Sequence, residues 1–114
     1  MWPSSGFTPA DLAALSGVWA WFLTVVRPAI EPGPAALIDD DLALVNPWGF
    51  DPAEVAVPVL LLHGAQDRVA PVAHAEWMAA RCPTADLRVK PDDGHISVLD
   101  SAPVALQWLA NHPT

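Results

Sequence analysis

Residues 57 to 63, VPVLLLH, form a continuous apolar run without polar alternation. That texture predicts a strand buried on both faces, as in a parallel sheet covered by helices. The run ends in His63-Gly64, and Asp67 follows four positions after the histidine. Beyond the loop through Pro71, residues 72–81 carry Val72, Ala75, Trp77, Met78 and Ala79 at helical spacing, and Cys82-Pro83 closes that helix. ADLRVK alternates as a second strand, PDDGH is a turn, and VALQWLAN after Pro103 is a final helix over 104–111. The order strand, helix, strand, helix predicts an α/β chain whose two strands run parallel, joined by a crossover helix. Two such strands are too few to close a stable sheet, so the sheet reads as incomplete.

The first half has a different texture. Thr8-Pro9-Ala10-Asp11 places a capping hydroxyl before a proline, with a carboxylate three positions on, so a helix starts near residue 9. Arg27-Pro28 is expected to end it. Its apolar residues Leu12, Leu15, Trp19, Phe22 and Val26 sort onto one face, predicting a buried or lid-like helix. The uncharged interval 12–26 falls short of the roughly 20 residues a membrane-spanning helix requires, so a span is disfavoured. RPAIEPGPAAL reads as a proline-glycine loop, followed by a short helix from about Asp40 to Val45 that NPWG stops. Asp51-Pro52-Ala53-Glu54 repeats the capping pattern for one brief turn.

The 114-residue chain is the size of one small domain, yet 53% of it is apolar, with six tryptophans, and its mean hydropathy is +0.30. That is more apolar surface than a free-standing domain of this size usually hides. Five basic residues against thirteen acidic ones give a net charge of -8, and Arg27, Arg68, Arg81, Arg88 and Lys90 form no cluster. A nucleic-acid partner is disfavoured, because phosphate binding needs a concentrated positive field. Asp39-Asp40-Asp41 reads as a solvated helix start, since it lacks the spaced ligands and turn glycine of a calcium loop. The lone Cys82 excludes an intrachain disulfide and fits a reducing, cytoplasmic setting. MWPSSGFTPADL has no basic region ahead of an apolar core, unlike a signal peptide.

Two chemistries compete for the polar residues at the strand ends. His63, Asp67 and His95 converge on one edge if the strands are parallel, but no H-x-x-x-H pair or second cysteine accompanies them, so metal binding is disfavoured. Alternatively, Asp67 and His95 leave the same edge of adjacent strands, about 4.8 Å apart, where open α/β sheets place their ligands. A carboxylate on one ring nitrogen fixes the imidazole tautomer and leaves the other nitrogen to take a proton from a nucleophile. Taken by itself, Asp67 reads first as a turn former. His74, His112, Asp92 and Asp93 read as surface or turn residues. The tryptophans read first as packing, with Trp19, Trp21 and Trp48 placed to line an apolar acyl or alkyl pocket.

VPVLLLHGAQDRVAP, with PDDGHIS bringing His95 28 residues after Asp67, resembles the C-terminal part of the α/β-hydrolase fold family. The resemblance covers residues 57–110 and, more loosely, likens residues 8–56 to the lid helices and the segment returning to the core. It implies a partial α/β-hydrolase fold: a lid-like helical segment over 1–50, then a C-terminal part of the core over 51–114 with two parallel strands and flanking helices. It further implies hydrolysis of an ester, amide or related bond, with Asp67 as the triad acid and His95 as the base. Val69 and Ile96 match positions bordering the substrate pocket, and no cofactor or metal is implied.

The family's nucleophile lies in a G-x-S-x-G elbow upstream of the lid, and no such motif occurs here. Ser16 falls in a predicted helix, while Ser97 and Ser101 follow the histidine. The oxyanion-hole strand has no counterpart, and His63-Gly64 reads as strand-end packing and a tight turn. The expectation is therefore a fragment, a product with a misplaced start, or half of a split enzyme, nearly inactive alone. Its partners would be a small-molecule substrate in the complete enzyme and a complementary N-terminal chain or a second copy. The alternatives are a non-catalytic remnant or interaction module pairing through its sheet edge, and a small membrane-associated protein using residues 12–26.

Overall fold

A computed structural model of the protein describes residues 6–112. Residues 1–5 of MWPSSGFTPADL, the stretch read as unlike a signal peptide, lie outside the described residues. The second half is an α/β unit. Strand β1 (Val59–Gly64) pairs in parallel with β2 (Ala85–Lys90), Leu61 opposite Leu87 and His63 opposite Val89. A helix over Val72–Arg81 connects them and packs on both strands, while another over Ala102–Ala110 packs on β1. Pro103 sits in the first turn of this last helix, where its missing N–H costs nothing. Cys82, Ala75 and Trp108 are buried between these layers. Below the strands, the Thr84 hydroxyl donates to the Val57 carbonyl at 2.7 Å, tying the approach to β2 onto the approach to β1.

Two expectations for this half need correction. Val59 to His63 are half-buried, and only Gly64 at the strand end is buried. Among the described residues the sheet has two strands, so β1 lacks the second neighbour that full burial requires. A 3-10 helix over Ser97–Ser101, which no periodicity announces, also precedes the last helix.

The first half differs more. The predicted helix from residue 9 is two helices, α1 (Pro9–Ser16) and α2 (Phe22–Ile30). Gly17 ends α1, and the Ser16 hydroxyl turns back onto the Leu12 carbonyl. α2 then runs through Pro28 instead of stopping before it. Pro28 leaves the Thr24 carbonyl without an intrahelical donor, but Thr24 is exposed and water can serve it. Gly33, at φ 117°, makes the next turn, and α3 (Ala35–Val45) begins five residues earlier than expected, in the helix-favouring run Ala35-Ala36-Leu37. Asp39, Asp40 and Asp41 therefore lie mid-helix and exposed, not at a helix start. α2 and α3 contain no buried residue. Even so, Leu15, Trp19, Phe22 and Val26 are half-buried, leaving Leu12 as the exposed member of the expected face. Among the described residues no helix is long and apolar enough to cross a membrane. In chain order the helices on either side of β2 are α4 (Val72–Arg81) and α5 (Ala102–Ala110).

Gly64 sits where β1 meets the turn after β2. A Cβ there would run into the backbone carbonyls of Asp93 and Gly94. Backbone cannot yield as a flexible side chain can, so Gly64→Ala should destabilise the chain by about 1–3 kcal/mol, measurable as a lowered urea midpoint at unchanged slope.

Candidate active site

The loop leaving β1 is built around one carboxylate. Asp67 Oδ1 accepts the backbone N–H groups of Val69 and Ala70, each at 2.8 Å, closing a tight turn. Its other oxygen, Oδ2, lies 2.9 Å from Nδ1 of His95. The turn-forming and histidine-facing readings of Asp67 thus use different oxygens of the same group. The Asp67 side chain is 4% exposed and that of His95 39%. Burial raises the Asp67 pKa, but the bonds from Ala70, His95 and Val69 outweigh it, so the carboxyl lies below its usual value. An ionised carboxylate can only accept, so Nδ1 of His95 carries the proton, and in the neutral ring Nε2 keeps a free lone pair.

His63, at the end of β1, contributes more than strand-end packing. Its Nε2 donates to the Ala70 carbonyl at 2.8 Å and stands 3.6 Å from Asp67 Oδ2. The loop is thereby closed from the strand side as well. Among the described residues no three His, Cys, Asp or Glu side chains are grouped to hold a metal ion.

The loop carrying His95 is held from an unexpected direction. Asp11 of α1 is fully buried, at 0% exposure. Its Oδ1 accepts the backbone N–H groups of Ile96 at 2.7 Å and Ser97 at 3.0 Å. Its Oδ2 accepts the N–H and hydroxyl of Thr8, at 3.0 and 2.9 Å. The capping pattern located Asp11 correctly, since Thr8 Oγ1 accepts the Asp11 N–H to complete the capping box. Nothing local in the sequence indicates its bonds to residues 96 and 97. A Cβ on Gly94 would collide with the Asp11 carboxylate, so glycine is what lets the carboxylate approach this turn. The Ser97 hydroxyl accepts the Gly94 N–H at 2.8 Å and closes the turn around His95.

His95 also borders a cavity of about 560 Å³ walled by Phe7, Leu15, Trp21, Phe22, Val26, Val69 and Ile96. The walls are almost entirely apolar, and His95 supplies the polar ring at their edge. Of the three tryptophans singled out by position, Trp21 lines this cavity. Trp19 packs against Trp21 and Phe22, and its indole donates to Asp100 at 2.8 Å. Trp48 stacks on Phe50 in a separate open groove. Ser16 lies in α1, and Ser97 and Ser101 in the 3-10 helix; among the described residues no serine hydroxyl is bonded to His95.

Comparison with curated proteins finds a pimeloyl-[acyl-carrier protein] methyl ester esterase of Aromatoleum aromaticum that is 40% identical over 74 residues, or 64% of this chain. Those residues are 27% of the esterase, so the chain matches a minor part of that relative's length. No family model matches, and no solved structure matches. The likeness is a partial one to an esterase, carried by a chain of α/β content.

Burial raises the pKa of Asp11, but bonds from Ser97, Thr8 and Ile96 bring it down to about 2. A carboxyl whose folded pKa is depressed stabilises the fold fully above its unfolded value near 3.8 and loses that contribution as pH falls toward 2. Unfolding free energy should therefore drop by about 2 kcal/mol between roughly pH 4 and 2 on account of Asp11 alone. Urea titrations at stepped pH should show that component missing from Asp11→Asn.

Proposed function

We propose that this chain is the C-terminal portion of an α/β-hydrolase, with a lid-like segment over 1–50 and part of the catalytic core over 51–114. The observation that carries the reading is the 2.9 Å contact between His95 Nδ1 and Asp67 at the ends of two parallel strands, beside an apolar cavity. The partial likeness to an esterase supports it.

In this reading Asp67 orients His95 and stabilises the imidazolium that forms when Nε2 takes the proton of a nucleophile. The nucleophilic hydroxyl and the oxyanion-binding N–H groups come from protein outside these residues, a complementary N-terminal portion. Val69 and Ile96 face the substrate, and the apolar cavity takes the hydrocarbon part of a small ester. No cofactor enters the reaction. Without a nucleophile beside His95 the covalent route is lost, so the isolated chain has little activity.

Complementation tests this reading. The chain is mixed with, or fused after, the N-terminal portion of the esterase relative and assayed on short-chain p-nitrophenyl esters. Activity is expected to appear, and to fall by about 10³-fold or more in His95→Ala and comparably in Asp67→Asn. Activity surviving His95→Ala would sink the assignment. Tight association without activity would instead favour an interaction module.

A further inference from the structure

The His95 side chain is 39% exposed, and its ring is bonded to Asp67. Whether the ring meets Asp67 depends on the backbone that carries it. That backbone turn is gripped immediately after the histidine by Asp11, 85 residues away in the chain. The carboxylate accepts the N–H groups of the two residues after the histidine on one oxygen and anchors α1 through Thr8 on the other. Gly94, immediately before the histidine, supplies the surface against which the carboxylate rests. Asp11 thus bonds the turn just after residue 95 and lies close against it just before.

We propose that Asp11 is a positioning residue for His95, whose carboxylate clamps the Ile96 and Ser97 amides and so couples seating of the N-terminal helix to the Asp67–His95 contact. The inference rests on the hydrolase reading above, in which that contact orients the base. It deepens that reading by making the first helix part of the apparatus that holds the base, beyond any role as a cover. Without the clamp, the Ile96 and Ser97 amides would lose their acceptor and the turn would reorganise, and a shift of about 1 Å at the imidazole is enough to cost a catalytic group its function. A cap that merely starts α1 would have no such reach.

Imidazole and amide NMR on the uniformly ¹⁵N-labelled 114-residue chain tests this. In the wild type, the His95 Nδ1–H should give a slowly exchanging, downfield proton signal that Asp67→Asn removes. Asp11→Asn replaces charge-assisted bonds with neutral ones, so exchange protection of the Ile96 and Ser97 amides should fall about tenfold or more, with the His95 signal broadening in parallel. Thr8→Val removes the cap hydroxyl but leaves both clamp bonds, and should leave His95 unchanged.

Three results would overturn the proposal: an unchanged His95 signal in folded Asp11→Asn, loss of that signal in Thr8→Val to the same extent, or melting of β1 and β2 amides together with the turn in Asp11→Asn. The last would make Asp11 a general determinant of the fold. Failure of the underlying hydrolase reading looks different: the wild-type His95 signal would be indifferent to Asp67→Asn while the Ile96 and Ser97 amides still depended on Asp11.

Discussion

A single buried carboxylate organises the polar half of this molecule. Asp11 accepts four hydrogen bonds, two from the start of its own helix and two from the turn after β2. An ionised group taken wholly out of water is costly unless its oxygens are satisfied, and here four donors meet them. The glycines complete the arrangement. Gly64 lets the 93–94 backbone lie against the end of β1, and Gly94 lets the carboxylate lie against that backbone. Strand, turn and helix are thus stacked through two positions where a side chain would not fit. This stack fixes where residue 95 emerges, and so whether it meets Asp67.

The parts of the fold that could be read from the sequence are those set by local pattern. The span of β2, ADLRVK, follows from its alternation and flanking turns, and the span of α4 from its spacing and the closing Cys82-Pro83. The Asp67–His95 contact is legible because parallel strands send their loops out of one edge, so that pairing follows from topology without knowledge of packing. The errors lie where a local rule was overridden. The rule that proline stops a helix fails at Pro28, because the exposed carbonyl one turn earlier can be hydrated. The start of α3 is masked by prolines at 32 and 34, which make the stretch resemble a loop, although Pro34 directly precedes a run of helix formers.

The role of Asp11 illustrates a different limit. Its capping function is legible because donor and acceptor lie three residues apart. Its contact with Ile96 spans 85 residues and depends on a glycine at 94 and a helix docked over the turn. No spacing rule within one sequence encodes such a contact. Asp67 shows the same ambiguity within a single residue, because a turn-forming aspartate and a histidine-orienting one have identical local sequence. Only the second oxygen and its partner distinguish them, and that partner lies 28 residues away.

Polar and apolar groups are satisfied unequally, and this bears on what a complementary protein portion would add. Among the described residues every buried side-chain nitrogen and oxygen has a hydrogen-bond partner. The apolar surface is different: Val57, Val104, Leu106 and Leu109 are all exposed, and β1 is only half-buried along most of its length. Covering such side chains is worth about 1.5–3 kcal/mol for each one fully buried, which makes this surface a large reserve of association energy. In the proposed assembly, then, the missing portion need not repair the network around His95, because that network is already closed through Asp67, His63 and Asp11. Its contribution would be burial for the strand and its helices, together with the hydroxyl that His95 Nε2 is free to deprotonate. The same division explains how one stretch of chain can carry a well-ordered carboxylate–imidazole contact while its sheet has two strands among the described residues: the polar geometry is set by tight turns and one long-range carboxylate, whereas the core is set by how many strands stand side by side.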